Sequence, residues 1–135
     1  MNIIVDTCIW SLAFRRTSIS PLPEVIALTE LIQDGRVQML GPIRQEILSG
    51  IKSKAQFLSL RSMLQAFPDL RLLAEDYETA AEYFNLCRMK GIQGSNTDFL
   101  ICTVALRCNM PIFTNDKDFN SYQKVLKLNL YKYNK

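Results

Sequence analysis

The 135-residue sequence contains no histidine. Without imidazole the chain cannot build a Ser-His-Asp triad, a Cys-His dyad or a histidine-ligated zinc or haem site. Cysteine is scarce and scattered, and without Cys-x-x-Cys spacing a zinc site is not expected. The apolar neighbours of the cysteines predict reduced, buried thiols. The four cysteines are Cys8, Cys87, Cys102 and Cys108.

The sequence also lacks a long hydrophobic run. The N-terminus shows no basic region followed by an apolar stretch, and no window reaches about 18 uninterrupted apolar residues. We therefore expect a cytoplasmic protein with no membrane segment. A hydrophobic content of 48% is enough for one globular domain over residues 1–135, and a net charge of +3 permits a polyanionic partner without requiring one.

Strand-like and helix-like segments alternate along the chain. The β-branched run at residues 3–5 is typical of a strand buried on both faces of a parallel sheet. Periodicity and capping signals predict the remaining elements. These are helices at 7–14, 24–34, 42–49, 55–67, 75–90 and 95–108, strands at 37–40, 112–114 and 127–131, and room for a short strand within 68–73. The alternation predicts an α/β fold with a central, mainly parallel sheet flanked by helices.

Acidic residues follow the predicted strands. Asp6 ends the first strand, Glu46 lies one turn into the helix after the second, and Asp98 opens the helix after a glycine-containing loop. Asp116 and Asp118 follow the third strand. Ligands of parallel α/β sheets gather beyond the carboxyl ends of the strands, so we expect these carboxylates to converge there.

Convergent carboxylates need compensation, because two of them about 4 Å apart repel by roughly 4 kcal/mol at an effective dielectric of about 20. Mg²⁺ and Mn²⁺ supply that compensation with the oxygen ligands they prefer. Such an ion can hold a phosphate oxygen and activate a water as nucleophile, without a histidine. The sequence therefore favours metal-dependent cleavage of phosphodiesters.

Each acid also has a purely structural alternative. Asp98 stands three residues after Ser95 and can close a capping box, and Asp116 can be an ordinary turn residue. Glu46 lies about 60° outside the apolar stripe of its helix, where a solvated glutamate is common. Asp6 either caps the turn after the buried strand or serves a site, and we favour the site.

Four segments in this order and spacing resemble a PIN domain, most closely the VapC toxins of bacterial and archaeal toxin–antitoxin pairs. The resemblance covers nearly the whole chain. The segments are Ile4-Val5-Asp6-Thr7, Gln45-Glu46-Ile47-Leu48-Ser49-Gly50, Asn96-Thr97-Asp98-Phe99-Leu100-Ile101 and Thr114-Asn115-Asp116-Lys117-Asp118-Phe119.

The resemblance implies a catalytic set of Asp6, Glu46, Asp98 and Asp116. In our hypothesis the three aspartates bind one or two Mg²⁺ or Mn²⁺ ions, and Glu46 orients water or holds the second ion. Asp118 matches an additional acidic position, and it would support the site together with Thr114.

The resemblance also implies an activity and partners. We expect a parallel sheet wrapped by helices, metal-dependent cleavage of RNA (often tRNA or ribosomal RNA), a homodimer, and inhibition by a cognate VapB-like antitoxin. Cys8 stands where a serine, an asparagine or another small residue is common, which alters the packing beside Asp6.

Basic and aromatic residues are candidates for RNA contacts. Tyr122 is a candidate for base stacking, whereas Trp10 and Phe14 are predicted to be core or dimer contacts. The acidic segment of residues 75–82 is predicted to be an exposed face. The candidate phosphate contacts are Arg15, Arg16, Lys52, Lys54 and Lys117.

Other classes of protein fit less well. A receiver domain has paired acids after its first strand, but here Asp6 is followed by Thr7. A haloacid-dehalogenase-type phosphatase needs an aspartate where the chain has Cys8. A non-catalytic PIN scaffold that binds a regulatory partner, and a DNA-directed PIN-like nuclease, stay as alternatives.

Overall fold

The computed structural model describes residues 1–15 and 22–133, so the predicted RNA contact Arg16 lies outside the described residues. The described part contains three short strands and seven helices. They are β1 (Ile3–Val5), α1 (Thr7–Phe14), α2 (Pro23–Gln33), β2 (Val37–Gln38), α3 (Gly41–Leu48), α4 (Lys54–Leu64), α5 (Ala74–Met89), α6 (Asn96–Cys108), β3 (Ile112–Phe113) and α7 (Asp118–Tyr122).

The strands form a parallel sheet in the order β2-β1-β3. Ile4 of β1 lies opposite Gln38 on one side and Ile112 on the other. All three residues of β1 are buried, as the apolar run predicts for a central strand. Because the strands are parallel, their carboxyl ends meet at one edge of the sheet.

Two predicted strands are reduced to single bridges. In the segment predicted as a strand at 127–131, the described pairing is one parallel bridge from Leu130 to Ile112. In the segment at 68–73 it is one bridge from Asp69 to Met39. The alternation at 127–131 instead reflects burial of Leu128 while the intervening side chains face outward. The five-residue helix α7 was not predicted.

The aromatic residues of α1 are core contacts, as expected. Trp10 is 2% exposed, and its ring nitrogen donates a hydrogen bond to the Val5 carbonyl at 3.2 Å. The Phe14 ring stacks on Trp10 with 6.1 Å between ring centroids. Tyr122, in contrast, is completely buried. The prediction that Tyr122 stacks on bases is therefore wrong, because its ring belongs to the core.

The cysteines are free thiols, as predicted, but only two of the four are buried. Cys87 and Cys102 are buried, whereas the prediction of burial is wrong for Cys8 and Cys108, which are half-buried. Burial raises the pKa of the Cys87 and Cys102 thiols, which keeps them protonated. None of the described helices is both long and apolar enough to span a membrane.

The acidic segment at the start of α5 is only partly an exposed face. Asp76 is 1% exposed, which contradicts the prediction for this residue. Its carboxylate accepts hydrogen bonds from Arg107 Nε at 2.7 Å and Nη2 at 2.9 Å, and from the Leu73 N–H at 2.8 Å. Burial raises the pKa of Asp76, but these hydrogen bonds outweigh it and lower that pKa below its usual value. The neighbouring glutamates Glu75, Glu78 and Glu82 are exposed.

Candidate active site

Asp6 lies at the junction of β1 and α1. Its N–H donates to the Phe113 carbonyl at 2.9 Å, which carries the pairing of β1 with β3 one residue further. Oδ1 accepts from the Thr7 N–H at 2.8 Å and caps α1. Oδ2 accepts from the Thr114 hydroxyl at 2.8 Å and from the Cys8 thiol at 3.6 Å. Asp6 therefore serves both as the cap and as a carboxylate at the carboxyl edge of the sheet.

Asp98 lies in the first turn of α6. Ser95 caps this helix, because its hydroxyl oxygen accepts from the Asp98 N–H at 3.0 Å. The Asp98 carboxylate instead accepts a hydrogen bond from the Tyr122 hydroxyl, 2.7 Å from Oδ2. Only the Ser95 half of the predicted capping box therefore forms, and the Asp98 side chain is directed to other partners.

Two residues that the sequence analysis did not assign to the site hold Asp98 in place. Tyr122 reaches it across 24 positions of the chain, from the end of α7. Gly94 leaves room for that tyrosine, since a Cβ on Gly94 would lie 2.8 Å from Phe99 Cε2 and from Tyr122 Cε1 and would press on the Tyr122 hydroxyl. Gly94, one of the two glycines in residues 91–94, was the available signal for such a close approach.

Asp116 lies in the turn between β3 and α7, and Asp118 is the first residue of α7. The Asp116 N–H donates to the Thr114 hydroxyl oxygen at 3.0 Å, and the Asp118 N–H donates to Asp116 Oδ1 at 2.9 Å. The structural alternative for Asp116 is thus true, because its carboxylate stabilises this turn. The same turn brings both side chains back toward the start of α6.

Three carboxylates meet at this edge of the sheet. One carboxylate oxygen each from Asp98, Asp116 and Asp118 lie within 4.8 Å of one another. Asp118, expected only as a support, is a member of this group. Asp6 lies beside it, linked through Thr114, whose hydroxyl donates to Asp6 and accepts from the Asp116 N–H.

Glu46 lies at the rim of the same region. It is exposed, and its Oε1 accepts a hydrogen bond from the Thr7 hydroxyl at 2.7 Å. Its charge contributes, after burial, to raising the pKa of Asp6. Glu46 is therefore placed beside Asp6 and outside the group of three.

The carboxylates of the site form no ion pair with any described residue. Burial raises the pKa of Asp6, although hydrogen bonds from Thr114 and Thr7 oppose this. Burial also raises the pKa of Asp98 to about 6, against the lowering effect of the Tyr122 hydrogen bond and with further raising by the charges of Asp6 and Asp116. Within residues 1–15 and 22–133, the ion pairs are Arg44–Asp69 and Arg107–Asp76, and neither reaches this cluster.

The donor set fits a hard divalent cation. The three clustered ligand atoms are all carboxylate oxygens, which suit Mg²⁺ and Mn²⁺ better than soft metals. Ligands about 2.1 Å from one Mg²⁺ lie at most about 4.2 Å apart, close to the spread of these oxygens. A bound cation would also offset the repulsion that raises the pKa of Asp98.

The predicted RNA contacts are distributed over several surfaces. Lys117 lies between Asp116 and Asp118 and lines a cavity that includes Asp116. Arg15 lines a different cavity, together with Phe14 of α1, Ile47 of α3 and Leu60 of α4. Lys54, the first residue of α4, and Lys52, in the connection before it, are both exposed. Of the described candidates, Lys117 is thus the one seen to share a cavity with a carboxylate of the cluster.

Comparisons with known proteins define the class. The family model described as the PIN domain matches residues 3–125, so the chain belongs to the PIN domain family.

The branch of the family follows from curated relatives. The chain is 30% identical over 128 residues to VapC ribonuclease Mb1587 of Mycobacterium bovis and to Ribonuclease VapC11 of Mycobacterium tuberculosis. The match covers 93% of this chain and 95% of each relative. Within the PIN domain family the chain therefore belongs with the VapC ribonucleases. These relatives are named as ribonucleases, which confirms the predicted enzyme class.

Solved structures confirm the fold. VapBC2 from Rickettsia felis, bound to a DNA fragment from its promoter, aligns with a TM-score of 0.76 at 20% identity, over 99% of this chain and 100% of the matched chain. FitAcB from Neisseria gonorrhoeae aligns with a TM-score of 0.74 at 16% identity, over 96% of both chains. The predicted α/β architecture is the architecture of these proteins.

Proposed function

We propose that this chain is a VapC-like toxin, an endoribonuclease that depends on Mg²⁺ or Mn²⁺ and is inhibited by a cognate VapB-like antitoxin. The observation that carries the proposal is the convergence of carboxylate oxygens from Asp98, Asp116 and Asp118 beside buried Asp6. Because none of these carboxylates forms an ion pair with a described residue, the cluster suits a site that takes its positive charge from a bound ion.

Asp98, Asp116 and Asp118 would hold the metal, with Asp6 completing the site on the β1 side. When bound, a divalent ion supplies a Lewis acid for the scissile phosphate and activates a water for attack. Glu46, exposed at the rim and hydrogen-bonded to Thr7, would orient that water or assist a second ion.

Two hydroxyl groups position the carboxylates. Thr114 bridges Asp6 and the Asp116 backbone, so that the ends of β1 and β3 keep a constant separation. Tyr122 holds Oδ2 of Asp98 and leaves Oδ1 for the site. Both are positioning residues, since they act through the carboxylates.

RNA is the substrate class we propose, with tRNA or ribosomal RNA as the first candidates. The named relatives are ribonucleases, and structural neighbours include VapBC complexes. These observations also support a VapB-like protein as the partner, and we propose a homodimer as the working assembly.

The test is cleavage of total RNA and of tRNA by the purified chain, with Mn²⁺ or Mg²⁺ and with EDTA. We expect cleavage that EDTA abolishes and that Asp98→Asn reduces by at least about 100-fold, because a metal ligand contributes more than the groups that orient it. Asp34→Asn, at an exposed aspartate after α2, is the matched control and should leave cleavage unchanged.

Three outcomes would contradict the proposal. Full activity of Asp98→Asn would remove the cluster from the mechanism. Cleavage of DNA but not RNA would favour the DNA-directed nuclease. Binding of an antitoxin without EDTA-sensitive cleavage of any nucleic acid would favour the non-catalytic scaffold.

A further inference from the structure

A cavity of about 560 Å³ opens directly beside the acid cluster. One wall is the loop after β3, which contributes Thr114 and Asp116. A second wall is the C-terminal segment, residues 130–133. A ligand in this cavity would therefore contact the same loop that carries the candidate metal ligands.

The C-terminal wall is held firmly against β3. The Tyr131 N–H donates to the Ile112 carbonyl at 2.8 Å, and the Ile112 N–H donates to the Asn129 carbonyl at 2.9 Å. The rings of Tyr131 and Tyr133 both pack on Phe113, with 5.3 and 5.0 Å between ring centroids. Two aromatic rings thus stand in fixed positions at the edge of the cavity.

The polar lining suits a nucleotide. Lys117 and Lys132 are exposed on the two walls, and within the described residues neither forms an ion pair. Asn115 and Asn120 add exposed amide groups that can donate to and accept from a base edge. Glu24 is a second carboxylate of the lining besides Asp116, and it accepts a hydrogen bond from the Tyr133 hydroxyl at 3.2 Å.

We infer that this cavity binds one nucleotide of single-stranded RNA adjacent to the scissile phosphate, with Lys117 and Lys132 on its phosphate and the Tyr131 ring against its base. The inference rests on the proposed ribonuclease function. Aromatic rings beside cationic side chains are the usual means of holding unpaired bases, and stacking accepts any base. The cavity therefore provides position and affinity for the strand rather than a sequence code.

The first test measures binding without cleavage, in the Asp98→Asn background. A fluorescein-labelled single-stranded RNA of mixed sequence is titrated by fluorescence anisotropy at several salt concentrations. Adding Lys132→Ala should weaken binding several-fold and reduce the slope of log K against log salt by about 0.7, the value for one lost phosphate contact on a single strand. Lys124→Ala, at an exposed lysine outside the cavity lining, is the matched control and should change neither quantity.

The second test separates the base from the phosphate. Tyr131→Leu keeps an apolar group on Phe113 but removes the ring, and it should weaken RNA binding by about tenfold at unchanged salt slope. Tyr131→Phe keeps the ring and should bind as the parent does. An equal loss of RNA affinity in Tyr131→Leu and Tyr131→Phe would show that the base does not stack on the Tyr131 ring.

The outcomes also distinguish this inference from the proposed function. If the wild type cleaves RNA while Lys132→Ala and Tyr131→Leu bind RNA normally, the function stands and the nucleotide site is wrong. If the variants lose RNA binding as expected but the wild type cleaves nothing, the cavity binds RNA and the ribonuclease proposal fails. Loss of antitoxin binding alone in these variants would assign the cavity to the protein partner instead.

Discussion

Asp76 and Asp98 both lie in the first turn of a helix, on the neighbouring elements α5 and α6. Asp76 is buried and Asp98 is half-buried, and burial opposes the negative charge of each. Asp76 receives a two-point contact from Arg107, and its pKa is lowered. Asp98 receives a neutral tyrosine hydroxyl and faces other carboxylates, and its pKa is raised to about 6. The chain thus neutralises buried Asp76 with its own arginine, whereas half-buried Asp98 forms no ion pair within residues 1–15 and 22–133.

The difference separates a structural acid from a functional one. A buried carboxylate paired with an internal cation ties two helices together and needs nothing from outside. A carboxylate whose charge is opposed by burial and by its neighbours destabilises the metal-free fold, and it recovers that free energy when a cation binds. Removing Arg107 should therefore lower the free energy of unfolding, whereas removing the charge of Asp98 should raise it in the absence of metal.

The largest expected effect on stability is that of Arg107→Ala. The substitution leaves Asp76 charged and buried, so we expect the free energy of unfolding to fall by about 2–3 kcal/mol. This loss is at the low end of the range for broken buried ion pairs, because the Arg107 side chain is 37% exposed. Urea denaturation at neutral pH measures this. Arg61→Ala, at an exposed arginine of α4, should change stability by less than about 0.5 kcal/mol. A similar small loss in both variants would mean that the Asp76 pair does not stabilise the fold.

Gly94→Ala tests the support of Asp98 through packing. The added Cβ would overlap Phe99 and Tyr122, so we expect a loss of about 1–3 kcal/mol together with displacement of the Tyr122 hydroxyl from Asp98. Gly41→Ala is the matched control, because the nearest atom to its Cβ is 3.7 Å away, an ordinary contact. Thermal denaturation of the two variants should differ clearly, and equal melting temperatures would show that the loop yields without cost.

Asp98→Asn should change stability in the opposite direction from Arg107→Ala. The amide keeps the shape and can still accept from Tyr122, but it removes the charge, so in EDTA at pH 7.5 we expect a gain of about 1–2 kcal/mol. Because the folded-state pKa of Asp98 is raised from 3.8 to about 6, the wild type gains stability as the pH falls from above 6 toward 3.8. The advantage of the variant should therefore shrink over that interval. A variant less stable than the wild type in EDTA would contradict this account.

The pH dependence of the two aspartates should also differ. Asp76 has a lowered pKa, so its contribution to stability is complete above its ordinary value of 3.8 and is lost as the pH falls below that value. Metal-free wild type should thus gain stability on mild acidification and lose it only in strong acid. Urea midpoints measured from pH 7.5 to pH 3 would show both phases.

The smallest expected effect is that of Tyr122→Phe. It removes the hydroxyl that donates to Asp98 at 2.7 Å, and we expect a loss of about 1 kcal/mol in EDTA at pH 7.5. Tyr77→Phe, at a tyrosine that is 54% exposed, should be neutral. Equal stability of the two variants would mean that the Tyr122 hydrogen bond contributes nothing to the fold.

The sequence predicts those features that depend on neighbouring residues. The run at residues 3–5 identifies the central strand, and Ser95 identifies the start of α6, because burial patterns and caps are local signals. Asp6, Glu46, Asp98 and Asp116 could be proposed as a set because parallel strands place their carboxyl ends together and because the four segments resemble one family.

Features that join distant parts of the chain could not be predicted. Asp76 looks like one member of a solvated acidic face, and only the packing of α5 on α6 gives it Arg107 as a partner. Tyr122 meets Asp98 through α7, a helix too short to leave a periodic pattern. The membership of Asp118 in the carboxylate group likewise depends on the turn that Asp116 stabilises.

The most direct test of the central claim is the melting temperature of wild type and Asp98→Asn with EDTA and with increasing Mn²⁺. The account predicts a reversal: Asp98→Asn is the more stable protein in EDTA, and the wild type becomes the more stable one as Mn²⁺ saturates it, since an ion at 100 times its Kd adds about 2.7 kcal/mol. Parallel curves, in which Mn²⁺ shifts both proteins equally or shifts neither, would show that the carboxylates of Asp98, Asp116 and Asp118 do not form a metal site.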